Sequence, residues 1–145
     1  MRYNNYHKHD HKGNVKSLDV VCKMEDYCKR AIELGHTTIF TTNHGMQGDV
    51  FEATTLAKKY GLKLIVGAEC YYVKDRKEKD RSNRHIIIIC LNDNAVRQLN
   101  KILSIANTEG YYYKPRIDYE LLMSLNEKDF IITTACVAGI LKDKE

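Results

Sequence analysis

Long hydrophobic stretches are absent from this 145-residue sequence. The longest purely apolar run, Ile86 to Leu91, falls far short of the roughly 20 residues that cross a bilayer. The opening Met1-Arg2-Tyr3-Asn4-Asn5 lacks the apolar centre of a signal peptide. Neither a membrane protein nor a secreted precursor is expected. A single proline and eight glycines exclude a low-complexity or disordered chain. No Cys-x-x-Cys occurs, and the five cysteines (22, 28, 70, 90 and 136) are odd in number. That argues against a disulfide framework and a zinc ribbon, so a reducing, cytoplasmic setting is expected. The net charge is only +4, which permits a nucleic-acid or phosphate partner without demanding one.

What is present is ordinary for a globular domain: 43% hydrophobic and 29% charged residues. The length corresponds to one domain or part of one. Apolar spacing predicts strands at Tyr3–His9, Thr37–Thr42, Lys63–Val73 (with a bend near Gly67), Ile86–Leu91 and Phe130–Thr134. Helices are predicted at Met24–Leu34, Val50–Tyr60, Ala95–Ala106 and Asp118–Leu125. Gly35 and Gly61 stand where helices stop. Asp93 or Asn94 is expected to cap the third helix, and Asp118 the fourth. Unbroken apolar strands alternating with helices predict an α/β fold with a parallel sheet, either doubly wound or a β/α barrel. Both place ligands beyond the C-terminal ends of strands.

Candidate ligands fall at those ends. His7 and His9, two apart on an extended segment, point to one face. His44 follows the second strand, Glu69 sits in Gly67-Ala68-Glu69, His85 opens the isoleucine-rich strand, and Cys136 follows the last strand. Singly each has a plainer reading: a surface histidine cluster, a loop histidine, a salt bridge to lysine, a buried thiol. Together they describe a polynuclear site with mixed nitrogen and oxygen ligands. Such ligands favour Zn²⁺, Mn²⁺ or Fe²⁺ over Mg²⁺, and neighbouring metals of this kind serve hydrolytic phosphoryl transfer.

His7-Lys8-His9, Thr41-x-x-His44-Gly45, Gly67-Ala68-Glu69, His85 and Thr133-Thr134-Ala135-Cys136 resemble the motifs of the PHP (polymerase and histidinol phosphatase) superfamily. Gly45, Ile131 to Cys136, and Tyr111-Tyr112-Tyr113-Lys114-Pro115-Arg116-Ile117-Asp118 make the chain similar in particular to PHP domains at the N-terminus of bacterial or phage DNA polymerase III α-subunits. The resemblance runs from Tyr3 to Leu141. It implies a distorted (β/α)7 barrel and two to three divalent metals, Zn²⁺ or Mn²⁺ with Fe²⁺ as a further option. His7, His9, Glu69, His85 and Cys136 would be primary ligands, with His44 a further one and Asp19 the candidate for a ligand soon after His-x-His. His7, His9, Glu69 and His85 would carry catalysis. The implied activity is a proofreading 3′–5′ exonuclease on single-stranded DNA ends. The implied partners are DNA and the remainder of an α-subunit or other replisome proteins. A phosphomonoesterase of the histidinol-phosphatase type and a catalytically silent structural domain are the alternatives.

The sequence departs from the family pattern in three places. Asp10 stands where serine is usual, Asn43 replaces an acid before His44, and no histidine follows His85. The family's final Asp-x-His has no counterpart, so residues 1–145 are expected to form a PHP domain incomplete at its C-terminal end, without polymerase palm, fingers or thumb. Two other stretches bear on substrate. Lys74 to Arg84 is strongly charged and reads as a solvated loop or a phosphate-contacting flap. In Tyr111 to Arg116, tyrosines could stack on bases while Lys114 and Arg116 meet phosphates, or the rings could simply pack the loop.

Overall fold

The computed structural model describes residues 4–15 and 17–142. Helix α1 (Met24–Glu33) leads to strand β1 (Thr38–Thr41), helix α2 (Val50–Lys59) and strand β2 (Lys63–Tyr72). Strand β3 (Arg84–Cys90), helix α3 (Asp93–Thr108) and the short hairpin of β4 (Tyr111–Tyr112) and β5 (Lys114–Ile117) follow. Helix α4 (Tyr119–Met123) and strand β6 (Phe130–Thr134) complete the regular elements. The helices end as their sequences indicate: Gly35 and Gly61 adopt φ of 69° and 65°, which glycine does without steric cost. Asp118 caps α4 through Leu121 N at 3.2 Å. The α3 cap is Asn92, accepting from Ala95 N at 2.9 Å, not Asp93 or Asn94.

The sheet is open and mixed, ordered β4-β5-β2-β3-β6, with β1 alongside β2. The first half of β2 pairs in parallel with β1, and its second half lies between β3 and β5. Gly67 marks the handover. A Cβ there would lie 2.6 Å from the Ile88 carbonyl oxygen. The expected all-parallel sheet is corrected at β3, which runs antiparallel to both β2 and β6. Residues 73–83 contain no helix, and a parallel return needs a crossover, usually helical, of a dozen or more residues. Strand β5, reached through α3, does return parallel to β2.

Two cores hold the elements together. One joins β2, β3 and α3 through Ala68, Ile86, Ile88, Leu99, Ile102 and Leu103. The other joins α1, β1 and α2 through Met24, Cys28, Ile39, Ala53 and Ala57. All five cysteines are free. Among the described residues no helix is long and apolar enough to cross a membrane.

Candidate metal centre

Residues 4–10 form no regular strand, and Tyr3 lies outside the described residues. The segment is nonetheless tied to the end of β1. Lys8 N donates to Thr42 Oγ1 at 2.7 Å, and Thr42 N to the Lys8 carbonyl at 3.1 Å. Alternation therefore persists without a ladder. Lys8 turns inward, its Nζ 3.0 Å from Met24 Sδ and 4.4 Å from the Tyr27 ring centroid. Burial lowers its pKa to about 8. His7 and His9 turn the other way, onto β2.

Glu69 is their common point. It is almost fully buried. Its Oε2 lies 2.7 Å from His7 Nε2 and 2.9 Å from His9 Nε2, and its Oε1 lies 2.7 Å from His85 Nδ1. His44 is fixed beside it by the main chain: Glu69 N donates to the Asn43 carbonyl (3.1 Å) and Gly45 N to the Glu69 carbonyl (2.8 Å). Gly45, at φ 59°, lies so close to β5 that a Cβ would sit 2.5 Å from Pro115 Cγ. Asn107 Nδ2 donates to the Gly45 carbonyl at 3.0 Å, so the end of α3 also borders the site.

The remaining candidates lie at the rim. Asp19 Oδ2 is 3.2 Å from His44 Nε2, its side chain 49% exposed. Cys136 Sγ is 3.6 Å from His85 Nδ1, drawn in because His85 N donates to the Ala138 carbonyl at 3.0 Å. His7, His9, His44, Glu69, His85 and Cys136 line a cleft of about 230 Å³.

Tyr71 belongs to this cluster and escaped the sequence reading. Its ring stacks on His44 (5.4 Å between centroids) and meets His85 edge-on (5.0 Å). Period-two alternation from Glu69 along β2 was the available signal. Lys114 Nζ reaches Tyr71 OH at 3.5 Å, placing it beside the cluster. Arg116 is engaged elsewhere. Its buried guanidinium donates to the carbonyls of Gly110 (2.9 Å), Arg76 (2.7 Å), Glu78 (2.7 Å) and Asp80 (2.8 Å).

Electrostatics follow from this crowding. Burial alone would raise the Glu69 carboxyl, but hydrogen bonds from His7, His85 and His9 hold it well below the carboxylate range. Burial pushes His44 down to about 4 despite the attraction of Glu69. It also pushes the Tyr71 phenol up, with Glu69 adding to the rise.

The donor set suits a divalent metal. His7 Nε2 and His9 Nε2 are 3.0 Å apart while both touch the same carboxylate oxygen. Ligands about 2.0–2.2 Å from one ion have donor–donor separations of about 3 Å in octahedral and about 3.5 Å in tetrahedral geometry, so these donors need to part only slightly to share an ion. Two groups of three could hold ions, His7–His9–Glu69 and His44–Glu69–His85, sharing Glu69. The buried Nδ1 of His44 has no hydrogen-bond partner, as a ligand atom would.

Comparison with known proteins places the chain in a family. The family model described as PHP domain matches residues 7–143. DNA polymerase III subunit alpha of Aquifex aeolicus is 36% identical over 134 residues, covering 85% of this chain and 12% of that protein. The subunit of the same name from Borreliella burgdorferi is 31% identical over 141 residues, covering 93% of this chain and 12% of that protein. The chain thus spans about an eighth of the length of these curated relatives. A crystal structure of a candidate metal-dependent phosphoesterase from Bifidobacterium adolescentis overlaps 59% of this chain and 28% of its own, at 17% identity and a TM-score of 0.44.

Proposed function

The chain belongs to the PHP domain family, and from that premise we propose that it is a metal-dependent phosphodiesterase domain of a DNA polymerase III α-like protein, acting at single-stranded DNA 3′ ends. The observation that carries this reading is the convergence of His7, His9 and His85 on the two oxygens of one buried carboxylate, Glu69. We assign His7, His9 and Glu69 to one ion. His44, Glu69 and His85 go to a second, with Cys136 completing it from the rim and Asp19, the further candidate, holding the other nitrogen of His44. Zn²⁺ or Mn²⁺, with Fe²⁺ a third option, fits imidazole and carboxylate donors. Such ions supply Lewis-acid charge neutralisation and activation of water.

The chain's own residues account for the rest. Glu69 keeps its negative charge at any working pH and balances the cationic site. Tyr71 fixes the His44 ring by stacking and the His85 ring by an edge-on contact. Lys114, beside Tyr71, is the cation placed to steady a phosphate. Arg116 is proposed to act indirectly, by shaping the 73–83 loop. The mixed open sheet is read as part of a distorted (β/α)7 barrel. The remainder of an α-subunit would be its partner and the bacterial cytoplasm its setting.

The test is metal content by mass spectrometry on untagged protein, compared with a His7→Ala, His9→Ala double variant. Bound zinc, manganese or iron that disappears in the variant, with metal-dependent shortening of a 3′-ended oligonucleotide, is the expected result. Well-folded protein without metal leaves a structural domain. Turnover of p-nitrophenyl phosphate without oligonucleotide cleavage indicates a phosphomonoesterase.

A further inference from the structure

The charged loop between β2 and β3 and the hairpin of β4 and β5 meet at one place. Arg81 lies over the Tyr113 ring, its guanidinium carbon 3.8 Å from the centroid, and also donates to the Tyr113 hydroxyl. Tyr112 meets Tyr113 edge-on, 4.9 Å between centroids. Arg81 is delivered there by Arg116, whose guanidinium clamps the neighbouring Asp80 carbonyl at 2.8 Å. Tyr113 is also the single described non-glycine residue with positive φ, at 60°. That backbone is strained for a bulky side chain, yet the ring remains 58% exposed. Burial of the ring is therefore not what the strain secures.

We propose that Tyr113 and Arg81 form a stacking seat for a base of single-stranded DNA entering the histidine cluster. Every base has a π-face, and aromatic rings paired with cations bind single strands with little sequence preference. The position suits that role. The next residue, Lys114, contacts Tyr71, and the Tyr71 ring abuts His44 and His85. A base on Tyr113 would thus leave its phosphate near Lys114, on the way to Glu69. The loop that carries Arg81, residues 73–83, holds five basic and three acidic residues, a modest positive excess toward the DNA backbone. The inference rests on the DNA-directed reading above for its ligand. It goes further in naming which residues grip the strand.

The experiment is fluorescence anisotropy of a labelled oligothymidylate of about 12 nucleotides, within the span of known single-strand sites. It uses the full chain with EDTA present, so that no cleavage intervenes. Tyr113→Ala and Arg81→Ala are each expected to weaken binding about fivefold or more, the scale of one lost stacking contact. Tyr113→Phe should bind as wild type. Tyr113→Gly relaxes the left-handed backbone, so it should melt no lower than wild type yet bind as weakly as Tyr113→Ala. A strand with abasic 3′ nucleotides should bind wild type no better than the intact strand binds Tyr113→Ala. Equal affinity of wild type and Tyr113→Ala, or of intact and abasic strands, overturns the proposal, as does no binding by wild type. Failure of the hydrolytic reading shows separately, as intact binding in EDTA with no cleavage when Mn²⁺ is restored.

Discussion

Asp10 and Asn43 are bonded to each other twice: Asn43 Nδ2 donates to Asp10 Oδ1 at 2.9 Å, and Asp10 N donates to Asn43 Oδ1 at 3.0 Å. Both are buried, and these are two positions where the resemblance implies other residues, serine and an acid. An acid at position 43 would face the Asp10 carboxylate, and the amide replaces that repulsion with a hydrogen bond. This pairing seats the His7–His9 segment against the residues that carry His44.

The first prediction concerns that pair. Asn43→Asp should cost about 2–4 kcal/mol in urea denaturation at pH 7, the scale of an uncompensated buried charge. Adding Asp10→Ser should recover at least half of the loss, because a hydroxyl can donate to the new carboxylate. Additive losses in the double-mutant cycle would show that the two side chains do not communicate.

Glu69→Gln tests the shared carboxylate. The amide keeps the volume but removes the negative charge that both donor groups use. Metal content should fall to background. The thermal shift on adding Zn²⁺ or Mn²⁺ should vanish too, a shift worth about 2.7 kcal/mol in the parent at a hundredfold excess over Kd. Undiminished metal binding would remove Glu69 from the centre.

Acid should destabilise the metal-free protein before ordinary carboxylates titrate. An unfolded imidazole takes a proton near 6.5, whereas buried His44 resists until about 4. Across that window the unfolded state binds more protons, so stability is complete above pH 6.5 and falls as pH drops toward 4. Glu69, held low, adds a further loss below its unfolded value of 4.5. The His44 share is about 2 kcal/mol after allowance for solvent screening. Urea midpoints between pH 7 and 4.5 check this, and His44→Asn should flatten the profile.

Arg116→Lys should release the 73–83 loop. Lysine keeps the charge but lacks the planar fork that reaches several carbonyls at once. Trypsin should then cut at Lys77 or Lys79 several times faster than in wild type, with a stability loss of about 1–3 kcal/mol for the unpaired carbonyls. Unchanged proteolysis would mean that the Arg76 contacts with Asp118 and Glu120, both 2.8 Å, suffice alone.

Much of the candidate site's geometry was legible because its signals are local. His7 and His9 share a face through simple alternation, and this held although no strand forms there. Their neighbour Lys8 turned inward for the same reason. Glu69 stood out as an acid in an apolar strand. Tyr71 was less visible, since a tyrosine in β2 reads equally well as core. Arg116 was read as a phosphate contact, whereas its guanidinium is taken up by four backbone carbonyls; a cation in an aromatic loop looks the same whether it meets phosphate or its own backbone.

The sequence by itself determined where helices begin and end, which strands are apolar, and which side chains could ligate, since caps, periodicity and residue chemistry act within a few residues. Only the tertiary structure decided that β3 runs antiparallel, that Asp10 answers Asn43, and that Arg116 serves the loop. These depend on pairings between residues from 33 to 48 positions apart as well as on the nearer β2–β3 ladder, and no local preference distinguishes one such partner from another. Burial decides among them, because a polar group removed from water is stable only where a particular distant partner meets it.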